Sequence, residues 1–221
     1  MTQSERSHGP PSANGQGPGS ATRGDLMVAA RKLFSERGYD GASVRAITKA
    51  AGANLGSVTY HFGSKRSLYA AVLEERLRPL AARVQDVARG DGSALERMLG
   101  IVEAYFDHLA EHPDLPRLLL QEVAAGKQPP SVVIEIIRSI KEAIAGLQLQ
   151  GVADGSVREG HPVLTALSVV SQPVYLALVA PLLRTVGPVD LSHPPTRRMA
   201  LEHTLAFVRA GLTPRGGGSH S

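Results

Sequence analysis

The 221-residue chain contains no cysteine, so disulfides, thiolate metal sites and cysteine nucleophiles are excluded at once, and cysteine usage leaves the redox compartment open. No glycine-rich phosphate loop joins a strand to a helix, and no nucleophile motif or closely spaced acid pair stands out. The sequence therefore offers no catalytic machinery and no cofactor signature. Strand-like alternation is absent from residue 92 onward. Residues 1–21, rich in Gly, Pro and Ser, lack the apolar stretch of a signal peptide; a disordered arm and cytoplasmic residence are expected. One long uncharged run exists, residues 163–183, but Thr165, Ser168, Ser171, Gln172 and two prolines interrupt it and no second span accompanies it. Membrane insertion is not expected; a helix apolar all round is instead expected between its own bundle and a partner subunit. His108 and His112, with Asp107 and Glu111 beside them, stand one helical turn apart but lack further ligands, so no metal is expected.

What is present is a soluble, globular composition, 43% hydrophobic and 20% charged, long enough for a small domain and a larger one. Within it, the segment SVRAITKAAGANLGSVTYHF, residues 43–62, reads as two short helices around a tight turn at Gly52. Val44, Ile47 and Ala51 recur at helical spacing on the first helix, and Leu55, Val58 and Phe62 on the second, so two apolar faces can pack together. Ser43 and Asn54 stand where short side chains cap helix starts. A preceding helix is signalled by Thr22 with Asp25 and by Leu26, Ala29, Ala30, Leu33 and Phe34, and Gly38 is expected to end it. After Ser64, a further helix runs through Leu68, Tyr69, Val72, Leu73 and Leu77 until Pro79, expected to kink or end it. Between Thr22 and Ala70 there are eight basic residues and three acidic ones, +5 against +4 for the whole chain. A solvated basic face would suffice for that charge alone; coupled to the turn motif, it points to phosphate neutralisation on DNA.

The string from Phe34 with Glu36-Arg37-Gly38-Tyr39, through Ala51-Gly52, to Tyr60-His61-Phe62 before Ser64-Lys65 resembles the DNA-binding domain of the TetR/AcrR family of bacterial transcriptional regulators over about residues 22–75. The resemblance implies an all-α fold, a three-helix helix-turn-helix domain followed by a helical bundle for ligand binding and dimerisation. It also implies phosphate contacts from Tyr60, His61 and Lys65. From the residues themselves, Leu55, Gly56, Ser57, Thr59 and Tyr60 are candidates for base edges: hydroxyls donate or accept, and the Leu55 and Thr59 methyls suit a thymine methyl. Asn54 belongs to the same candidate surface, and Arg45 and Lys49 stand where the first helix would cross the backbone. Packing of Leu55 or Tyr60 on the domain core, and capping by His61, are the plainer alternatives. Arg6 and Arg23 could bring the arm to a minor groove, or the arm is only a tail.

Farther on, helices are expected near residues 93–111, 115–126, 130–149, 162–185 and 195–212, forming a bundle. The domain layout is an arm over 1–21, a DNA-binding domain over 22–70, a ligand-binding and dimerisation domain over 71–213 and a tail over 214–221. Polar groups interrupt apolar helices at Tyr105, Glu122, Gln172 and Tyr175, and these, with Leu109, Leu119 and Ile137, are the candidate effector lining; core packing or an interface is the alternative for each. A single reading helix contacts few base pairs, so a homodimer on a palindromic operator is expected, paired through about 162–185 and 195–212, as the resemblance also implies. The reading that results is a homodimeric repressor released by a small molecule. An activator shares every feature, and a ligand-storing or lipid-binding helical protein with a vestigial turn motif is the other class.

Overall fold

In the computed structural model, residues 22–124, 126–187 and 189–214 are described. The arm expected over 1–21 and the tail, Pro214 apart, lie outside the described residues. Helix α1 (Arg23–Gly41) starts at a reciprocal capping box: the Asp25 N–H donates to Thr22 Oγ1 at 3.2 Å, and the Thr22 N–H donates to the Asp25 carboxylate at 2.8 Å. Its apolar stripe buries Leu26, Ala30, Leu33 and Phe34. Gly38, expected to end this helix, instead breaks it. At φ 71°, ψ 174° it kinks the chain, and a last turn follows to Gly41. That region of backbone space is open to glycine and strained for other residues. Gly38→Ala is therefore expected to cost about 1–3 kcal/mol, read as a lowered urea midpoint with an unchanged slope.

Helix α2 (Val44–Ala50) is capped by Ser43, whose Oγ accepts from the Ala46 N–H at 3.1 Å. Helix α3 (Ser57–Phe62) follows the turn, and α4 (Lys65–Arg89) is capped by Ser64, which accepts from the Ser67 N–H at 3.0 Å. Pro79 does not end α4, contrary to one of the two expectations. It and Glu75, whose carbonyl loses its partner, both face solvent, while Leu77, Leu80, Ala81 and Val84 are buried on either side of the interruption. Water can satisfy the freed carbonyl, and packing holds the helix through the proline.

Then come α5 (Ala94–Glu111), α6 (Leu115–Ala124), α7 (Ser131–Asp154), α8 (Pro162–Val186) and α9 (Pro194–Leu212); every regular element among the described residues is helical. Helix α7 overruns its expected end at 149. Gly151 is not its stop but a place of close approach: a Cβ there would lie 2.4 Å from Val157 Cγ2. The turn comes at Gly155, φ 76°.

Helices α1 and α3 pack on α4, with α2 held against α1 and α3; α4 also packs against α5 and α7, α8 lies over α5 and α7, and α9 lies against α5. The boundary expected between residues 70 and 71 falls inside α4, so the head and the bundle share a helix. They also share a core, continuous from Leu26 and Phe34 through Leu73 and Leu80 to Met98 and Ile144.

Candidate DNA interface and effector cavity

The head's turn is built by the backbone. Gly52 sits at φ 66°, the Ala53 N–H donates to Thr48 O at 2.8 Å, and the Ser57 N–H donates to Asn54 O at 3.0 Å. The last bond spans three residues, a turn and not an α-helical start. Asn54 is consequently not a cap: α3 begins at Ser57, and its N-cap Gly56 is already in the right-handed helical region, where no side chain caps it. Side-chain capping needs an extended residue at that position.

Val58 of α3 and Ile47 of α2 are buried in the core, 1% and 0% exposed. On α3 Tyr60 is 85% exposed with Thr59 exposed beside it, and in the turn ahead of α3 Leu55 is 62% exposed with Gly56 exposed next to it. Thus neither Leu55 nor Tyr60 packs on the core. Ser57 and His61 are half-buried, and Phe62 is only half-buried, under the Arg23 guanidinium at 4.8 Å from its ring centroid. Arg45 and Lys49 are exposed on α2.

Lys65 is less free. Its ammonium lies 4.3 Å from the Tyr39 ring centroid, with Arg66 and Lys127 over the same ring at 5.5 and 5.6 Å. Burial holds the Lys65 pKa below the usual lysine value, with Lys127 acting in the same direction and Asp40 against it. Lys127 pairs with Asp40 at 2.5 Å. These contacts belong to a seam between head and bundle. Tyr69, edge-on to Phe34 at 4.9 Å, donates its hydroxyl to Leu118 O of α6 at 2.8 Å, and Arg66 reaches Gln128 O beyond α6. Arg31 of α1 faces Asp114 at 3.9 Å, just ahead of α6. The partners are dozens of residues apart, and no periodicity in the sequence announces them.

On its other side, α6 contributes Leu115, Pro116 and Leu119 to a cavity of about 190 Å³ enclosed with α4, α5, α7 and α8. Tyr105, Leu109, Leu119 and Ile137 of the expected lining are among its walls. Gln172 and Tyr175 are not: they border a shallow depression between α8 and α9, with Met199 and His203. The polar interruptions in α8 mark the helix's outer face, not a cavity wall. Glu122 lies on α6, but its side chain is outside those described. Leu77, Ile140 and Lys141 also line the cavity; Leu77 and Ile140 continue uninterrupted apolar stripes and Lys141 reads as an ordinary surface cation, so none of them signals a cavity in the sequence.

The histidine pair is committed elsewhere. His108 is buried with Nε2 at 2.8 Å from Arg76 O, and His112 Nδ1 lies 2.8 Å from the Arg76 guanidinium. Burial, with His112 adding to it, lowers the His108 pKa to about 4, so the ring is neutral near pH 7. Among the described residues no group of three or more potential ligands surrounds a metal position.

Helix α8 meets the length and hydropathy of a membrane span, yet only 17% of that apolar window is buried in the protomer. Leu164, Leu167, Tyr175, Leu178 and Leu182 run at helical spacing along one exposed side, and Met199 and Phe207 are exposed on α9.

The profile of the bacterial regulatory proteins of the tetR family matches residues 26–72, and that of the tetracyclin repressor-like C-terminal domain matches 95–208. The HTH-type transcriptional activator FasR of Mycolicibacterium smegmatis is 33% identical over 104 residues, 47% of this chain and 48% of FasR. The chain thus spans about half the length of that relative. The HTH-type transcriptional repressor KstR2 of the same organism is 30% identical over 139 residues, 62% of this chain and 67% of KstR2. The solved structure of the ketosteroid transcriptional regulator KstR2 of Mycobacterium tuberculosis superposes with a TM-score of 0.69 at 25% identity, covering 87% of this chain and 95% of that one.

Proposed function

This chain belongs to the tetR family of bacterial regulatory proteins, and from that premise we infer that it is a homodimeric, DNA-binding transcriptional repressor released by a small-molecule effector. The observation that carries the reading is the outer face of α3. Tyr60 is exposed beside Thr59 on a helix otherwise anchored by Val58, and Leu55 is exposed in the turn that leads into it, at the surface of the segment that holds the excess positive charge. Exposed apolar groups and hydroxyls on one short helix and the turn before it suit base edges and thymine methyls in a major groove. Arg45, Lys49, His61 and Lys65 are read as phosphate contacts, which position a protein without specifying sequence. Asn54, Gly56 and Ser57 complete the candidate surface. Domain roles follow: the head, residues 22–70 with its continuation in α4, reads the operator, and residues 71–213 bind effector and partner. Such work is done on the chromosome, so residence in the cytoplasm accompanies it. The chemistry is binding, not catalysis.

Two-fold pairing is supported by the exposed apolar side of α8 and by Phe207 on α9, too large an apolar surface for one protomer to leave in water. Release is supported by the position of α6, one side on the cavity and the other packed on α1 and bonded to Tyr69 of α4. A guest that binds best when the heads are spaced wrongly for successive half-sites, about 34 Å apart, lowers operator affinity by its differential affinity for that form.

Selection from a random DNA pool at about 150 mM salt, where non-specific attraction is suppressed, is expected to return an inverted repeat; recovery of no common sequence would overturn the reading. On that operator, Thr59→Ala is expected to change the preferred bases by about 1–3 kcal/mol at one position. Lys65→Ala should instead weaken all sequences evenly and reduce the salt slope by about one. A preserved slope with altered preference would reverse the two roles. Promoter output in cells separates repression from activation.

A further inference from the structure

The cavity beneath α6 is small, nearly all apolar, and carries two polar groups without partners. We propose that it receives a compact monoanion, a guest about the size of one aromatic ring or a short branched chain, whose carboxylate pairs with Lys141. This rests on the effector reading above and names the chemical class of the effector.

Size sets the first limit. At about 190 Å³ the space is slightly larger than the roughly 150 Å³ apolar cavity known to accept benzene. Leu77, Leu80 and Ile144 of its wall are 3%, 2% and 0% exposed, fixed in the shared core. A fused-ring or long-chain guest would have to displace them, at the cost that close-packed interiors impose, or leave part of its apolar surface outside the mouth, in water.

Charge sets the second. Lys141 stands on α7 in line with Ile137 and Ile144, half-buried, and forms no ion pair or hydrogen bond among the described residues. Ile137 and Leu167 beside it are exposed, so it marks the cavity's open end, while Leu80 and Ile144 mark the closed one. A neutral guest seated there strips water from the ammonium without replacing it. A cation adds repulsion. Only an anion repays the desolvation, through a charge-assisted hydrogen bond in a site of low polarity. Tyr105 is the other polar member of the wall, buried and likewise without a hydrogen-bond partner among the described residues. Burial raises its pKa, so the phenol remains a neutral donor. It can serve an acceptor on the buried part of the guest but adds no charge. One cation therefore meets one anionic group.

The test uses the full chain and three isosteric probes: 4-methylbenzoate, 4-methylbenzamide and 4-methylbenzylamine, with binding followed by calorimetry in the absence of DNA. The benzoate is expected to bind at least about tenfold more tightly than the amide, with the amine weakest. Lys141→Gln should erase the difference between benzoate and amide. Lys141→Glu should turn the preference toward the amine, a gain that misfolding cannot imitate. Equal binding of benzoate and amide, failure of all three to bind, or an unchanged preference in both variants would each overturn the proposal. Tight binding of octadecanoate with none of 4-methylbenzoate would overturn the size limit. Operator affinity is measured separately without ligand. Sequence-selective DNA binding with failed guest binding removes the ligand class alone, and guest binding in the expected order without DNA selectivity removes the regulator reading alone.

Discussion

Leu182→Glu is expected to leave the protomer folded, convert a dimer into a 23.3 kDa species in sedimentation, and reduce operator affinity at least about 30-fold. Leu182 is 57% exposed on α8, in line with Tyr175 and Leu178, so a carboxylate there meets only water in the isolated chain. In a two-fold pair it would be desolvated opposite apolar groups and close to its own symmetry copy, a burial that association cannot recover. DNA affinity falls because each head alone grips one half-site, and the second contact, made at high effective concentration in the dimer, is lost. An unchanged sedimentation coefficient would mean that the protomers pair elsewhere. A monomer with full operator affinity would show that pairing is not needed for reading.

Phe34→Ala is expected to destabilise the chain by about 3–5 kcal/mol, read from the urea midpoint. The ring is 0% exposed and sits between Tyr39, stacked at 6.0 Å, and Tyr69, edge-on at 4.9 Å. Its removal takes out apolar area, aromatic contacts and the support of the Tyr69 hydroxyl that bonds α6. DNA affinity should fall even where the variant remains folded, because the head's attachment is loosened with its core. Val28→Ala on the same helix, with Val28 57% exposed, should stay within about 0.5 kcal/mol. A loss near 1 kcal/mol for Phe34→Ala would mean that the cavity collapses and that the head's core is softer than its burial implies.

What the sequence made legible was local. Thr22 with Asp25, Ser43 and Ser64 act within three residues of themselves, so their capping bonds could be read directly from spacing. The helical bundle was legible for the same reason, since an apolar stripe and its breakers are properties of one segment. Asn54 failed because its cap depends on how the chain leaves Gly52, which consumes the residues up to Gly56 in a turn. Pro79 could not be settled between a kink and an end because its cost is set by what surrounds it, exposed carbonyl on one side and buried leucines on the other. The candidate reading face was visible as a motif, whereas the cavity was visible only in part. Tyr105 and Ile137 signalled themselves, but Lys141 acquires meaning from Tyr105 and Leu77 on other helices. The seam was invisible altogether: Lys127 meets Asp40, and Tyr69 meets Leu118, only once the chain has folded back on itself.

Helix α4, shared by the two halves of the chain, also has a mechanical meaning. Its 25 residues make a rod about 37 Å long, with the cavity wall at Leu77 and Leu80 near the middle and α3 carried at one end. Pivoting such a rod by about 10° moves its tip by about 3 Å when the fulcrum is central and about 6 Å when it is at the far end. Displacements of that order are comparable with the rise of one to two base pairs, so under the release proposed above even a small rotation of α4 would matter at the DNA. The rod amplifies because it is continuous through Pro79; a chain broken there would absorb the same push in a bend.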